Sequence, residues 1–202
     1  MIEAREKITA RLAWAIAMVA CWAALAAGQL AGAQNAGIDA ALLAKANGGD
    51  AAAQVAVGDC YATGTVAARD LRQAALWYQK AAVKGDIGGE LRLAALYRDG
   101  GKGFARDMAQ AAAWYRTAAD QGDVDAEATM GTLCSMGQGV AQDYAEAYYW
   151  LDLAASVTGP NQATYAAHRQ MMGAHITVDE LEAVQERAAA WKAAHPRVSR
   201  DK

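Results

Sequence analysis

Soft metal ligands gather in one short stretch of this chain, where His168, Met171, Met172 and His175 fall within eight residues. Imidazole together with thioether suits copper, so an exported protein could hold that metal here. Gly173 stands between the two histidines, and a glycine there ends a helix, so helical spacing does not fix their geometry. Methionine is also ordinary core filler. The expected metal set and cofactor set are therefore none, with copper binding as the alternative reading. Thiols come next, at Cys60 and Cys134. A thiol-dependent hydrolase would need a base beside one of them, and the sequence shows no Cys-His pair placed to meet. It also shows no serine elbow, no HExxH and no phosphate loop following a strand. Asp123 and Asp125 flank a helix start, where carboxylates favour the dipole. The chain reads as no enzyme.

The elements that must position these residues repeat. DLRQAALWYQKAA starts at Asp70, DMAQAAAWYRTAA at Asp107 and DYAEAYYWLDLAA at Asp143, which puts Trp77, Trp114 and Trp150 37 and 36 residues apart. Self-similarity at such a period marks stacked helical repeats. Gly-Asp recurs at 49–50, 85–86 and 122–123, followed eleven residues on by Tyr61, Tyr97 or Cys134 and then by Gly64, Gly100 or Gly137. Each unit is two helices and two turns, with the extra residue of the middle copy in the turn Gly100-Gly101-Lys102-Gly103, where an insertion costs least. Asp70, Asp107 and Asp143 precede Gln73, Gln110 and Glu146 by three residues, a capping pattern in which the Asp accepts orphan N–H groups and the Gln or Glu reaches back. The tryptophans recur at one position in every copy, so they are expected to fill the core between repeats, Trp114 included.

These motifs, with Gly-x-x-Tyr complete in copy one, Trp-Tyr-x-x-Ala-Ala complete in copies one and two, and matching positions recurring in the same order in all three copies, resemble the Sel-1-like repeat family, a relative of the tetratricopeptide repeats. The best single match is GTLCSMGQGVAQDYAEAYYWLDLAA from Gly131, and the closing helix from Ile176 to Pro196 resembles the way many bacterial members end. The departures are Val66 for the second turn glycine of copy one, Ala94 for the helix glycine of copy two and Cys134 for tyrosine in copy three. The resemblance implies an all-α, right-handed superhelical solenoid of helix-turn-helix repeats with a C-terminal capping helix, doing scaffold, adaptor or regulatory work. Some relatives carry two cysteines per repeat joined in a disulfide; this chain has at most one, so that trait does not transfer. A bond between Cys60 and Cys134 is rejected as well, because they sit on first helices two repeats apart, beyond the roughly 7 Å that bridged Cα atoms allow.

Boundaries follow from the same reading: a signal peptide over 1–33, an N-terminal cap helix within 34–48, repeats over 49–84, 85–121 and 122–158, capping helices over 159–196 and a disordered tail over 197–202. Arg5, Lys7 and Arg11 precede an uncharged run from Leu12 to Ala27, and Ala31-Gly32-Ala33 supplies a small-residue cleavage site. The expected compartment is the periplasm or outside, an uncleaved anchor or a lipoprotein at Cys21 being the alternatives. At the N-terminal cap, Leu42 and Leu43 should cover repeat one. At the other end, Thr177 and Glu180 should form a capping box for a helix whose Leu181, Val184, Ala188 and Trp191 face inward, with Glu182, Glu186 and Lys192 exposed. Removing the leader turns a formal charge of -3 into about -4. That mild acidity, with Lys and Arg scattered, argues against nucleic acid; no membrane contact is expected of the mature chain.

Function in such arrays lies in what differs between copies. On the first helices, the face away from the core runs through Ala56, Asp59 and Thr63, then Arg92, Ala95 and Asp99, then Thr129, Thr132 and Met136. By analogy with solenoids of this kind, these nine line the concave side and are the expected binding surface for another protein or peptide. Arg92 is the one basic residue among them, so it is the expected meeting point for a partner's carboxylate, with Lys80 as an exposed position elsewhere.

Overall fold

Aspartates set the helix starts. In the computed structural model, which describes residues 37–196, α1 spans Ala40–Asn47, α2 Ala51–Thr63, α3 Leu71–Ala82, α4 Ile87–Asp99, α5 Met108–Asp120, α6 Val124–Met136, α7 Tyr144–Ala155, α8 Gln162–Gly173 and α9 Val178–Ala194. The leader and tail segments expected at 1–33 and 197–202 lie outside the described residues. Asp39, Asp50, Asp70, Asp86, Asp107, Asp123 and Asp143 cap α1 to α7 in turn, each side chain accepting a first-turn backbone N–H. Such an acceptor is worth about 1 kcal/mol. Thr177 and Glu180 complete the expected reciprocal box on α9. In α3, α5 and α7 only the aspartate half of the expected box forms, because the amides of Asp70, Asp107 and Asp143 already donate to the carbonyls of Tyr61, Tyr97 and Cys134. In α7 the Glu146 carboxylate is also taken by Arg116, Arg187 and the Trp150 indole N–H.

Helices α1 to α8 pack in chain order, α2 also touches α4, and α9 folds back onto α7. The result is an all-α solenoid; among the described residues the only extended pairing is an isolated bridge between Gly101 and Phe104. That bridge closes the middle copy's longer turn with reciprocal hydrogen bonds of 2.9 and 3.0 Å. Gly103, at φ +81°, has open space where a Cβ would sit, so the extra residue loops out without disturbing a neighbour. Close approach is instead required at Gly58 and Gly131, where a Cβ would lie 2.5 Å from the Tyr78 ring and 2.6 Å from Leu151. Ala94 takes the corresponding place in the middle copy and is fully buried.

The core forms two clusters, one around Val57, Tyr61 and Trp77 and one around Met130, Trp150 and Leu153, and both receive Tyr97 and Trp114 at their seam. The tryptophans are therefore not equivalent. Trp77 is buried and Trp150 is 1% exposed, whereas Trp114 is only half-buried. Trp77 is buried without cover from α9, so α9, which packs on α7, bears only on the contrast between Trp150 and Trp114. At the caps, Leu42 and Leu43 pack on the first cluster. Val184 and Ala188 are buried in the second, with Leu181 and Trp191 packed against it. Lys192 departs from the expected exposure: it is half-buried, and its Nζ donates to Asp152 Oδ2 at 2.5 Å while Arg169 Nη1 donates to Oδ1 at 2.7 Å. A carboxylate on α7 thus gathers cations from α8 and α9.

Candidate binding face

Three loops are built alike. The amide of Asp70 donates to Tyr61 O at 3.0 Å, that of Asp107 to Tyr97 O at 2.8 Å and that of Asp143 to Cys134 O at 2.9 Å. The residue before each aspartate lies against the glycine that ends the preceding helix, Arg69 on Gly64, Arg106 on Gly100 and Gln142 on Gly137. This tight return fixes where residues 69, 106 and 142 project from each repeat.

Two open grooves run beside the first two of these loops. One is lined by Arg69, Leu71, Tyr78, Arg92, Ala95 and Leu96, and extends to Asp99. The other has Arg106, Met108, Thr129, Thr132 and Leu133, with Arg98 and Asp99 at its edge. The linings correspond position for position: Arg69 to Arg106, Leu71 to Met108, Arg92 to Thr129, Ala95 to Thr132 and Leu96 to Leu133. The first holds about 250 Å³ and the second about 570 Å³; a long arginine occupies the place that a threonine leaves open.

Of the nine expected surface residues, Arg92, Ala95 and Asp99 share the first groove and Asp99, Thr129 and Thr132 the second. Ala56, Thr63 and Met136 do not line either, although Thr63 and Met136 are exposed. Asp59 sits beneath Arg92, whose Nε donates to its Oδ1 at 2.7 Å, and Tyr78 OH donates to the same oxygen at 2.7 Å. Arg92 is thus not the unengaged cation that its position suggests, and a partner's carboxylate must compete with Asp59. Thr129 and Thr132 turn their hydroxyls to the carbonyls of Asp125 and Ala128, leaving methyl groups for contact. Arg98 forks onto Asp99 at 2.8 and 3.1 Å and also donates to Tyr115 OH at 3.0 Å. That hydrogen bonding, with the fields of Arg98 and Arg106, holds the Asp99 carboxyl below its ordinary range. Lys80 is engaged as well, with its Nζ 3.6 Å from the centroid of the Trp77 ring.

Sequence reasoning missed Arg69, Arg98 and Arg106. A signal for two of them is present in the sequence, since Arg69 and Arg106 each immediately precede a capping aspartate.

The side chains with candidate chemistry lie apart from these grooves. Cys60 and Cys134 are free thiols. Burial above all raises Cys134 to about 11, and burial followed by the Asp59 charge raises Cys60. A thiol acts as a nucleophile only as the thiolate, so neither is primed at neutral pH. Met172 packs into the second core cluster while Met171 is 60% exposed, and His175 stacks on Tyr144 with centroids 4.7 Å apart. Among the described residues no three His, Cys, Asp or Glu side chains group as a metal site would require.

Comparison with known proteins rests on the repeats themselves. A Sel1 repeat model matches residues 51–86, 89–123 and 124–156, which is about half of the chain and all three helix pairs. The chain belongs to the Sel1 repeat family. Its fold is similar to that of a Sel1 repeat protein from Oxalobacter formigenes, with a TM-score of 0.54 and 28% identity over 61% of this chain and 92% of that one. It is also similar, at a TM-score of 0.38 and 20% identity over 80% of this chain and 52% of the other, to c5321, a protective antigen present in uropathogenic Escherichia coli strains that displays an SLR fold. No curated protein matches. Sel1 repeat proteins typically serve as protein-interaction scaffolds. Among the described residues of this Sel1 repeat chain, no helix is long and apolar enough to cross a membrane.

Proposed function

We propose that this Sel1 repeat chain is a non-catalytic scaffold or adaptor of the bacterial cell envelope, exported by a cleaved leader, that binds a protein or peptide across the grooves of α2, α4 and α6. The observation that carries this reading is the pair of corresponding grooves, open to solvent and lined by small and apolar side chains with arginines at their edges. Repeat arrays stabilise themselves through nearest-neighbour contacts, which leaves such surfaces free to vary for a partner. A crosslinking pull-down from envelope extracts tests it, run with the chain from Gln34 onward and with an Ala95→Trp/Thr132→Trp variant that fills both grooves. A partner recovered by the first and lost with the second is the expected result. Equal recovery would place the site elsewhere. Export has its own readout: intact mass from the envelope fraction should correspond to a start at Gln34, whereas retained Met1 would support an anchor and a lipid adduct on Cys21 a lipoprotein.

A further inference from the structure

Arginines are unevenly engaged on this face. Arg92 and Arg98 are held by Asp59 and Asp99, but Arg69 and Arg106 are exposed and make no direct ion pair among the described residues. Both are fixed by the same loop geometry, one repeat apart. In the third repeat the corresponding residue is Gln142, whose amide is spent on Ser135 O at 2.8 Å and Tyr144 OH at 3.1 Å. Two exposed cationic positions therefore stand in register at the edges of two matching grooves, Arg106 with the Asp99 carboxylate within reach of its field, on a chain whose formal charge is -3 overall.

Their spacing selects a ligand shape. Packed helices lie about 8–10 Å apart, and α2 and α4 are in contact, so corresponding points on neighbouring repeats are separated by about that distance. A polyproline II segment rises about 3.1 Å per residue with three residues per turn, which returns the same side of the peptide to the surface every 9 Å or so. In a β-strand, residues three apart point to opposite faces. Building on the reading of these grooves as the binding face, we propose that they take a polyproline II segment of a partner protein carrying two acidic side chains three residues apart, Glu-x-x-Glu. One glutamate meets Arg69 and the other Arg106, since a guanidinium fork matches a carboxylate. The apolar floors, Leu71 with Leu96 and Met108 with Leu133, take the rings or methylenes beside them. Pre-formed polyproline II geometry lowers the entropy lost on docking.

The test is fluorescence anisotropy with three fluorescein-labelled peptides in one Gly-Ser frame, containing Glu-Pro-Pro-Glu, Glu-Pro-Glu-Pro or Ser-Pro-Pro-Ser. Glu-Pro-Pro-Glu should bind at least about fivefold more tightly than Glu-Pro-Glu-Pro, which has the same charge in the wrong register, and binding should weaken with salt. Arg69→Gln and Arg106→Gln, each installing the residue type that repeat three carries, should each weaken it about five- to tenfold, with circular dichroism unchanged. Lys45→Gln, an exposed position on α1, should leave it unaltered. Equal binding of the two acidic peptides would overturn the register. Binding indifferent to both arginines yet abolished by Ala95→Trp would keep the face and remove the acidic ligand. No binding by any peptide would overturn the proposal, while the envelope pull-down would still decide the scaffold reading independently.

Discussion

Arg92 Nε and Tyr78 OH donate to one oxygen, Oδ1 of Asp59, so the Arg92–Asp59 pair ties α4 to the helix one repeat before it. The pair is 46% and 40% exposed on its two side chains, which limits its worth to about 0.2–1 kcal/mol. A double-mutant cycle of Asp59→Ala and Arg92→Ala, read from urea midpoints, should give a coupling in that range. Asp59→Ala alone frees the guanidinium, and binding of the partner should strengthen if Arg92 takes part. Weaker binding would mean that Asp59 itself contacts the partner.

Trp150 should dominate the core. With 1% exposure, it is expected to cost about 3–5 kcal/mol when truncated to alanine. Trp114→Ala should cost clearly less, because that ring is half-buried at the seam of the two clusters. Trp150→Phe separates ring burial from the 3.0 Å indole bond to Glu146. A larger loss at Trp114 would contradict the packing described.

Glu90 is fully buried, and burial raises its pKa above the ordinary 4.5 despite the Gln121 amide donating to it at 2.7 and 2.8 Å. A raised carboxyl binds more protons in the folded chain than in the unfolded one, so its contribution is fully present below 4.5 and is lost as pH rises through the folded value. Glu90→Gln should therefore be more stable than wild type at pH ~7 and should lack that part of the pH slope. Gln54 holds the corresponding place in repeat one, buried, with its amide on Ala46 O at 3.0 Å. Thermal melts between pH ~4 and 8 decide the matter, and an identical slope in the variant would contradict it.

Asp152 anchors the C-terminal helices. Asp152→Ala strands Arg169 and Lys192, so amide exchange in α9 should accelerate about tenfold, the equivalent of about 1.4 kcal/mol, while α2 to α4 stay unchanged. Nearest-neighbour stability in a repeat array predicts this confinement. Uniform acceleration along the chain would mean that the solenoid opens as one unit.

Helix starts, turns and the period were legible in the sequence because each is set by local chemistry: an aspartate before a helix, a glycine after it and a tryptophan seven residues past the cap. What escaped depended on partners far along the chain. Asp59 claims Arg92 from 33 residues away, and Lys192 reaches Asp152 across 40. Gln73, Gln110 and Glu146 matched capping boxes by spacing, but the amides they would have reached donate to carbonyls nine or ten residues back, and Glu146 turns to Arg116 and Arg187 as charged donors. Burial at Trp114 and Trp150 differs because α9 covers one and not the other, which an identical repeat position does not reveal.

Central to this account is the assignment of partner binding to the α2, α4 and α6 face. The direct measurement is photocrosslinking in intact envelopes with benzoylphenylalanine placed at Ala95, inside the first groove, or at Leu76, a 51% exposed position on α3. A discrete adduct from position 95, absent from position 76 and lost on adding excess unlabelled chain, is the predicted result. An adduct from position 76 alone would contradict the assignment and move binding to the second helices.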